Sequence, residues 1–396
     1  MEMVSDPRCS RRKKHNCAEL LVCLISGYLA GRTSLRRALN WCNHHIDLLR
    51  EGLVLENGIA SVPTASRMLA NIEEEDFNCA FIQWMTEMIE TTNTHIIIDG
   101  KALRGATKRL RNGKTPYILN AIEATTNLVI AQLAIGEKEN EITAIPKLLD
   151  ILNVKGSVIT IDAIGTQEKI IKKIRSQGAH YLMTVKKNQP TIYEDILKYF
   201  NTHIIMKKNQ FQTSEKNRER KEYRTLKTSE YIPWISLKEV FEGITKFAVL
   251  EQVRIKIERD RNGTDITPDK NEYLKNGSKR KPKVSTGDQM TDDVYQIGII
   301  TDIKMEPEKM LEIKRNHWKI ENGLHHVLDD TLREDRSPAT SSKNNLALLR
   351  KIVFNILQIA KMRENFHQGF PEMQDAFADN NDKIRTYVLN GIESFY

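Results

Sequence analysis

Between residues 17 and 50 (CAELLVCLISGYLAGRTSLRRALNWCNHHIDLLR), apolar positions recur every three or four residues, and the period breaks at Gly31-Arg32-Thr33. That spacing predicts two helices, the second capped by Thr33 or Ser34. Ser61-Val62-Pro63-Thr64 opens a further short helix. From residue 95 the pattern becomes alternating strand and helix. HIIIDG reads as a strand ending at Asp99, and YILNAIEATTNLVIAQLAIG as a hairpin turning at Thr125-Thr126-Asn127. EITAIPKLLDIL is a helix, and SVITIDAIG is a second apolar strand ending in an acid, Asp162. TQEKIIKKIRSQG is a helix closed by Gly178, and HYLMTVKK a last strand.

Three antiparallel strands, a helix, a parallel strand, a helix and a last strand form the order of a ribonuclease-H-like α/β domain. Residues 203–302 interrupt it with a charge-rich run (KNRERKEYR), the strand-like pieces FAVLEQVRIKIE and VYQIGIITD, and a Gly/Lys/Asp-rich loop near 260–292. Helical pattern returns at PEKMLEIKRNHWKIENGLHHVLDD and NNLALLRKIVFNILQIAKM. The expected organisation is a helical N-terminal domain over 1–90, the first part of the catalytic domain over 91–202, and an inserted β subdomain with a basic loop over 203–302. Helices carrying Glu321 over 303–365 and a tail over 366–396 complete it. The helical domain, rimmed by Arg36, Arg37 and Arg67, is either a helix-turn-helix reader of DNA or a packing module.

Composition narrows the classes. The 396 residues allow a large core, and 60 Lys and Arg against 52 Asp and Glu give a net charge of +8, which suits an anionic partner without requiring one. No apolar run approaches membrane-spanning length and the N-terminus has no apolar signal core, so a cytosolic protein is expected. The five cysteines, Cys9, Cys17, Cys23, Cys42 and Cys79, are odd in number and lack paired C-x-x-C spacing. They read as buried free thiols rather than as disulfides or, with His44 and His45, as a zinc site.

The candidate chemistry is acidic. Asp99 and Asp162 each end an apolar strand, where ligands gather in open α/β sheets. Paired carboxylates there repel unless divalent cations sit between them, and Mg²⁺ is such a hard ion; Asp-Gly is also a common turn. Glu321 offers a third acid, with His317 and His325 four residues to either side on one helical face, flanked by Trp318, Asn322 and Asp329. A solvent-facing glutamate, or a zinc site of His317, Glu321 and His325, are the competing readings.

IDGKALRG, GEKENEITAIPKLL, TIDAIGTQEKI, YLMTVKKNQPTIYEDI, HWKIENGLHHVLD…REDRS and NLALLRKIVFNIL occur in that order. As a set they resemble the H-repeat-associated branch of insertion-sequence DDE transposases, and DPR…ELL…GYLAGRTSLRRALNW at the N-terminus resembles that family's associated helical domain, the match running from about Asp6 to Met362. The resemblance implies Asp99, Asp162 and Glu321 as catalytic and metal-binding acids, with Mg²⁺ or Mn²⁺ as cofactor. It implies double-stranded DNA (terminal inverted repeats and target) as partner, a homodimer on DNA, and a place beside the bacterial nucleoid. The reaction it implies is two-metal strand cleavage followed by strand transfer. A nuclease of the same fold that never joins DNA, or a DNA-binding descendant without catalysis, are the alternatives. Lys101, Arg104, Lys186, Lys187, Asn188, Gln189, Arg220, His317, Asn322 and His325 are candidate DNA contacts, with basic runs at 216–224 and 279–283 as phosphate-neutralising patches. The superfamily's Tyr-Arg-Glu-Lys signature is altered: Lys314, His317 and Leu328 stand at the Tyr, Arg and Lys positions.

Overall fold

The computed structural model describes residues 4, 6, 8, 14–107, 115–136, 139–216, 219–236, 238–262, 264–270 and 294–392. The chain divides into two compact units, Met1–Ser157 with Trp318–Tyr396, and Val158–His317.

The first unit begins with helices Cys17–Leu29, Leu35–His44, Val62–Asn71 and Glu74–Met88. Ser34 and Ser61 cap two of them, their side chains accepting from the Arg37 and Thr64 amides. At Gly27 the first two helices touch so closely that a Cβ would lie 2.7 Å from the Ala38 Cα. Three strands follow: β1 (His95–Ala102), β2 (Tyr117–Glu123) and β3 (Leu128–Ile135), paired antiparallel, with Asn127 taking φ +58° at the expected hairpin corner.

The long helix Lys343–Arg363 packs on β3, where Asn355 exchanges hydrogen bonds of 2.8 and 3.0 Å with the Val129 backbone. The N-terminal helices pack on that helix and on β3, with Asn78 donating to the Gln132 carbonyl. They therefore share a core with the strands instead of standing apart. Arg36, Arg37 and Arg67 stay exposed. The expected C-terminal tail is folded: helix Phe370–Asp379 and the turns after it bury Met373, Phe377 and Ile384 completely.

The second unit holds β4 (Val158–Ile161) and β5 (His180–Val185), parallel and joined by helix Glu168–Ser176, then helix Pro190–Thr202. β6 (Gln210–Lys216), β7 (Arg220–Ser229), β8 (Lys246–Lys256) and β9 (Val294–Thr301) follow, and the order is β4-β5-β9-β8-β7-β6. Within the inserted segment β9 hydrogen-bonds antiparallel to β5, from Leu182 opposite Thr301 to Val185 opposite Gly298, so the insertion extends the sheet that carries β4. Most of the 260–292 loop and the 279–283 basic run lie outside the described residues. Helix Pro307–His317 closes this unit.

Candidate active site

Asp99 does not end its strand. β1 continues through Gly100, Lys101 and Ala102, with Asp99 opposite Asn120 and Lys101 opposite Ile118, so the Asp-Gly pair is strand and not turn. Both glycines of IDGKALRG mark close approaches. The Glu141 carboxylate lies over Gly100, and the Asp335 and Ser337 carbonyl oxygens lie 2.6 Å from where a Gly105 Cβ would be.

Side chains two apart on a strand share a face, so Asp99 and Lys101 point the same way. Lys101 is buried, its ammonium 2.6 Å from Asp329, 3.3 Å from Glu334 and 3.9 Å from Asp335. Burial lowers its pKa, but these carboxylates outweigh burial and hold it above the usual lysine value. Glu334, fully buried, is kept below the usual range because Lys351, Lys101 and Arg350 overcome desolvation. Above this network His325 places Nδ1 3.7 Å from the Asp99 carboxylate, too far for a hydrogen bond. Burial, with Lys101 and Lys351 adding to it, pushes His325 down to about 4, so the ring is neutral at pH 7.

The segment bearing Glu321 is not a regular α-helix: residues Glu321–His325 and Val327–Thr331 form wide π turns. Glu321 is exposed.

In the second unit Asp162 follows β4 and precedes the 3₁₀ turn Ala163–Gly165. Its carboxylate is half-exposed and 3.2 Å from the Lys186 ammonium. Partial burial raises its pKa; Lys186, the Ala163 amide and Lys314 together prevail and leave it below the usual aspartate value. The turn is locked from several sides. Asn188 donates to the Ala163 carbonyl (2.7 Å), Gln189 to Thr166 O (2.8 Å), and Thr166 Oγ1 to Thr184 O (2.6 Å). Lys314 and His317, which stand at altered signature positions, are buried against the same strands. Lys314 donates to Thr184 Oγ1 at 2.7 Å and His317 Nδ1 lies 3.1 Å from Thr160 Oγ1.

These placements revise the expected DNA contacts. Lys101 and His317 are buried and engaged by protein groups, so neither presents itself to phosphate. Asn188 and Gln189 each give one amide N–H to the Asp162 turn. Arg104 and Lys187 are exposed, Lys186 and Arg220 partly so. Sequence reasoning missed Glu334, the buried partner of Lys101, and Lys351 and Arg350, which face the same Glu334 carboxylate, although RE334DR and the L-L-R350-K351 run of an apolar helix carried the signal: charges inside a buried pattern need partners.

Asp99 and Glu321 lie in the first unit and Asp162 in the second. Among the described residues no three His, Cys, Asp or Glu side chains stand close enough to hold a metal ion. Asp162, ionised and half-exposed, is an oxygen donor of the kind a hard divalent cation takes.

Together these features define a mixed α/β protein with carboxylates set on, or just past, its strands. The chain belongs to the Transposase DDE domain family, whose model matches residues 90–356, and a model for the domain associated with that family matches residues 1–85. It is similar to "H repeat-associated putative transposase YhhI" of Escherichia coli K12, 29% identical over 391 residues covering 96% of this chain and 94% of that protein. It is also similar to "Putative transposase YncI" of Escherichia coli O157:H7, 28% identical over 367 residues, 91% of this chain and 87% of that one. Among solved structures, a cryo-EM piggyBac transposase synaptic complex with hairpin DNA matches with TM-score 0.42 at 11% identity, covering 96% of this chain and 75% of that chain. No helix among the described residues is long and apolar enough to cross a membrane.

Proposed function

We propose that this chain is the transposase of a bacterial insertion sequence, cutting double-stranded DNA at the element's terminal inverted repeats and joining the ends to a target. Asp99, Asp162 and Glu321 are its acids, on a ribonuclease-H-like core. The observation that carries the reading is the Asp162 turn: an ionised, accessible carboxylate just past a parallel strand, fixed by three side chains and faced by Lys186. Strand ends of this kind are where α/β proteins handle phosphate-bearing ligands.

The three carboxylates would hold Mg²⁺ or Mn²⁺, which when bound polarises the scissile phosphate and lowers the pKa of the attacking hydroxyl. The chain's own residues do the rest. Lys186 keeps Asp162 deprotonated and stands ready to neutralise phosphate as DNA arrives. Arg104, Lys187 and Arg220 supply sequence-independent backbone contacts. Joining two ends to one target calls for two active sites, so the working form is a homodimer on DNA. A second reading, a DNA-binding descendant without catalysis, draws on the Lys186–Asp162 ion pair, which neutralises one of the three acids.

The test incubates the full chain with end DNA, a target plasmid and Mg²⁺ or Mn²⁺. Joined product from the wild type, lost in Asp99→Asn and Asp162→Asn while gel-shift binding survives, supports the transposase. Nicks without joining indicate a nuclease. Binding with no cleavage under any condition indicates the non-catalytic descendant.

A further inference from the structure

One polar row runs across β1, β2 and β3: Asp99 stands opposite Asn120, and Asn120 opposite Gln132. Directly opposed residues of antiparallel strands share a face, with Cβ atoms about 4.5–5.5 Å apart. Asn120 is completely buried, yet neither its amide nitrogen nor its amide oxygen has a hydrogen-bond partner among the described residues. Gln132 is 5% exposed; its nitrogen donates to the Asn344 carbonyl at 3.4 Å, and its oxygen is likewise unpartnered. A buried amide with both groups unmet is destabilising, and few native side chains are left so. The unmet groups are complementary. The Asn120 nitrogen carries two protons, and it is flanked by a carboxylate on one side and a bare amide oxygen on the other.

We propose that Asn120 is a positioning residue for Asp99. When the site engages DNA, its Nδ2 donates one proton to the Asp99 carboxylate and the other to Gln132 Oε1, and the Asn344 backbone anchors the row. The carboxylate is then aimed by a neutral amide, which leaves its charge for the reacting centre. A charged partner such as lysine at position 120 would cancel it. The proposal rests on the reading of Asp99 as a catalytic acid.

The experiment compares Asn120→Leu, Asn120→Ser and Asp99→Asn with the wild type, full chain throughout. It reads end-DNA cleavage rate, end-DNA affinity by gel shift, Mn²⁺ affinity by calorimetry, and melting temperature. Removing a partner that orients a ligating carboxylate lowers activity or metal affinity about 10–100-fold. Asn120→Leu should therefore lose that much in cleavage rate and bind Mn²⁺ more weakly, with DNA affinity intact and melting temperature equal or higher. Asn120→Ser, which keeps a donor, should recover part of the loss. Wild-type cleavage by Asn120→Leu, alongside an inactive Asp99→Asn, overturns the positioning role alone. A loss that tracks melting temperature, with Mn²⁺ affinity unchanged, overturns it too. If wild type and Asp99→Asn behave alike, the reading of Asp99 itself fails.

Discussion

Replacing Lys101 by methionine tests the buried network most directly. The substitution keeps the stem and removes an ammonium lying within 4 Å of three carboxylates, Asp329, Glu334 and Asp335. Glu334, whose side chain is 2% exposed, is left inside with one cation fewer. Breaking a buried pair by removing one partner costs about 3–5 kcal/mol. Lys351 and Arg350 still face Glu334, which puts the expected loss at the lower end, about 3 kcal/mol. At about 2–4 °C per kcal/mol for a body of this size, the melting temperature should fall by about 6–12 °C. Lys101→Met with Glu334→Met should lose less than the sum of the singles, since the two sites are in contact. Thermal unfolding of the four proteins completes the cycle, and DNA binding across a salt series supplies a second arm. A phosphate-holding lysine would lower the salt slope by about one when removed, whereas the buried Lys101 should leave it unchanged. A melting temperature within about 1 °C of wild type, or an additive cycle, refutes the reasoning, because either would mean that Lys101 supports nothing buried.

Three further outcomes follow from the same coordinates. Gly105→Ala places a methyl against two backbone oxygens and should cost about 1–3 kcal/mol, while Gly100→Ala meets only the movable Glu141 side chain and should be nearly neutral; paired melting curves check both. Lys351 is pushed down to about 8, chiefly by burial and further by Lys101 and Arg350, against Glu334. Between that value and the ordinary lysine pKa the unfolded chain binds the extra proton, so stability should climb with pH across the window by up to about 3 kcal/mol. Lys351→Met should lack that climb in urea titrations at pH 7.5 to 10, and parallel slopes would contradict it. Cys79 is exposed while Cys17, Cys23 and Cys42 are at most 4% exposed. Thiol labelling with peptide mapping should thus modify Cys79 quickly and those three only after unfolding.

The order of elements was readable from the chain because hydrophobic period is a local property. Two serine caps, the Asn127 corner, the acid just beyond β4 and the helix closed by Gly178 all stand where their own neighbourhoods put them. The cysteines read as buried thiols; Cys79 departs from that because it shares its helix face with Glu75, Asp76 and Gln83, away from the buried Phe77, Phe81 and Met85, and Cys9 lies outside the described residues. The strand through Asp99 was cut short in the reading because Asp-Gly is turn chemistry; β2 pairing with β1 as far as Ala102 overrides it.

What the sequence alone determined is the family motifs and much of the succession of strands and helices, though not helices Glu74–Met88 and Pro190–Thr202 or strands β6 and β7. The tertiary structure decided which charges are available. Lys101 meets Asp329 across 228 positions of chain, and no spacing rule reaches that far. It also decided that the inserted strands join β5 and that Asn120 lies buried opposite Asp99 with its amide unmet. The physical reason is one of range: backbone preference and hydrophobic period act over a few residues, whereas desolvation and ion pairing depend on whichever side chains folding brings within a few ångströms.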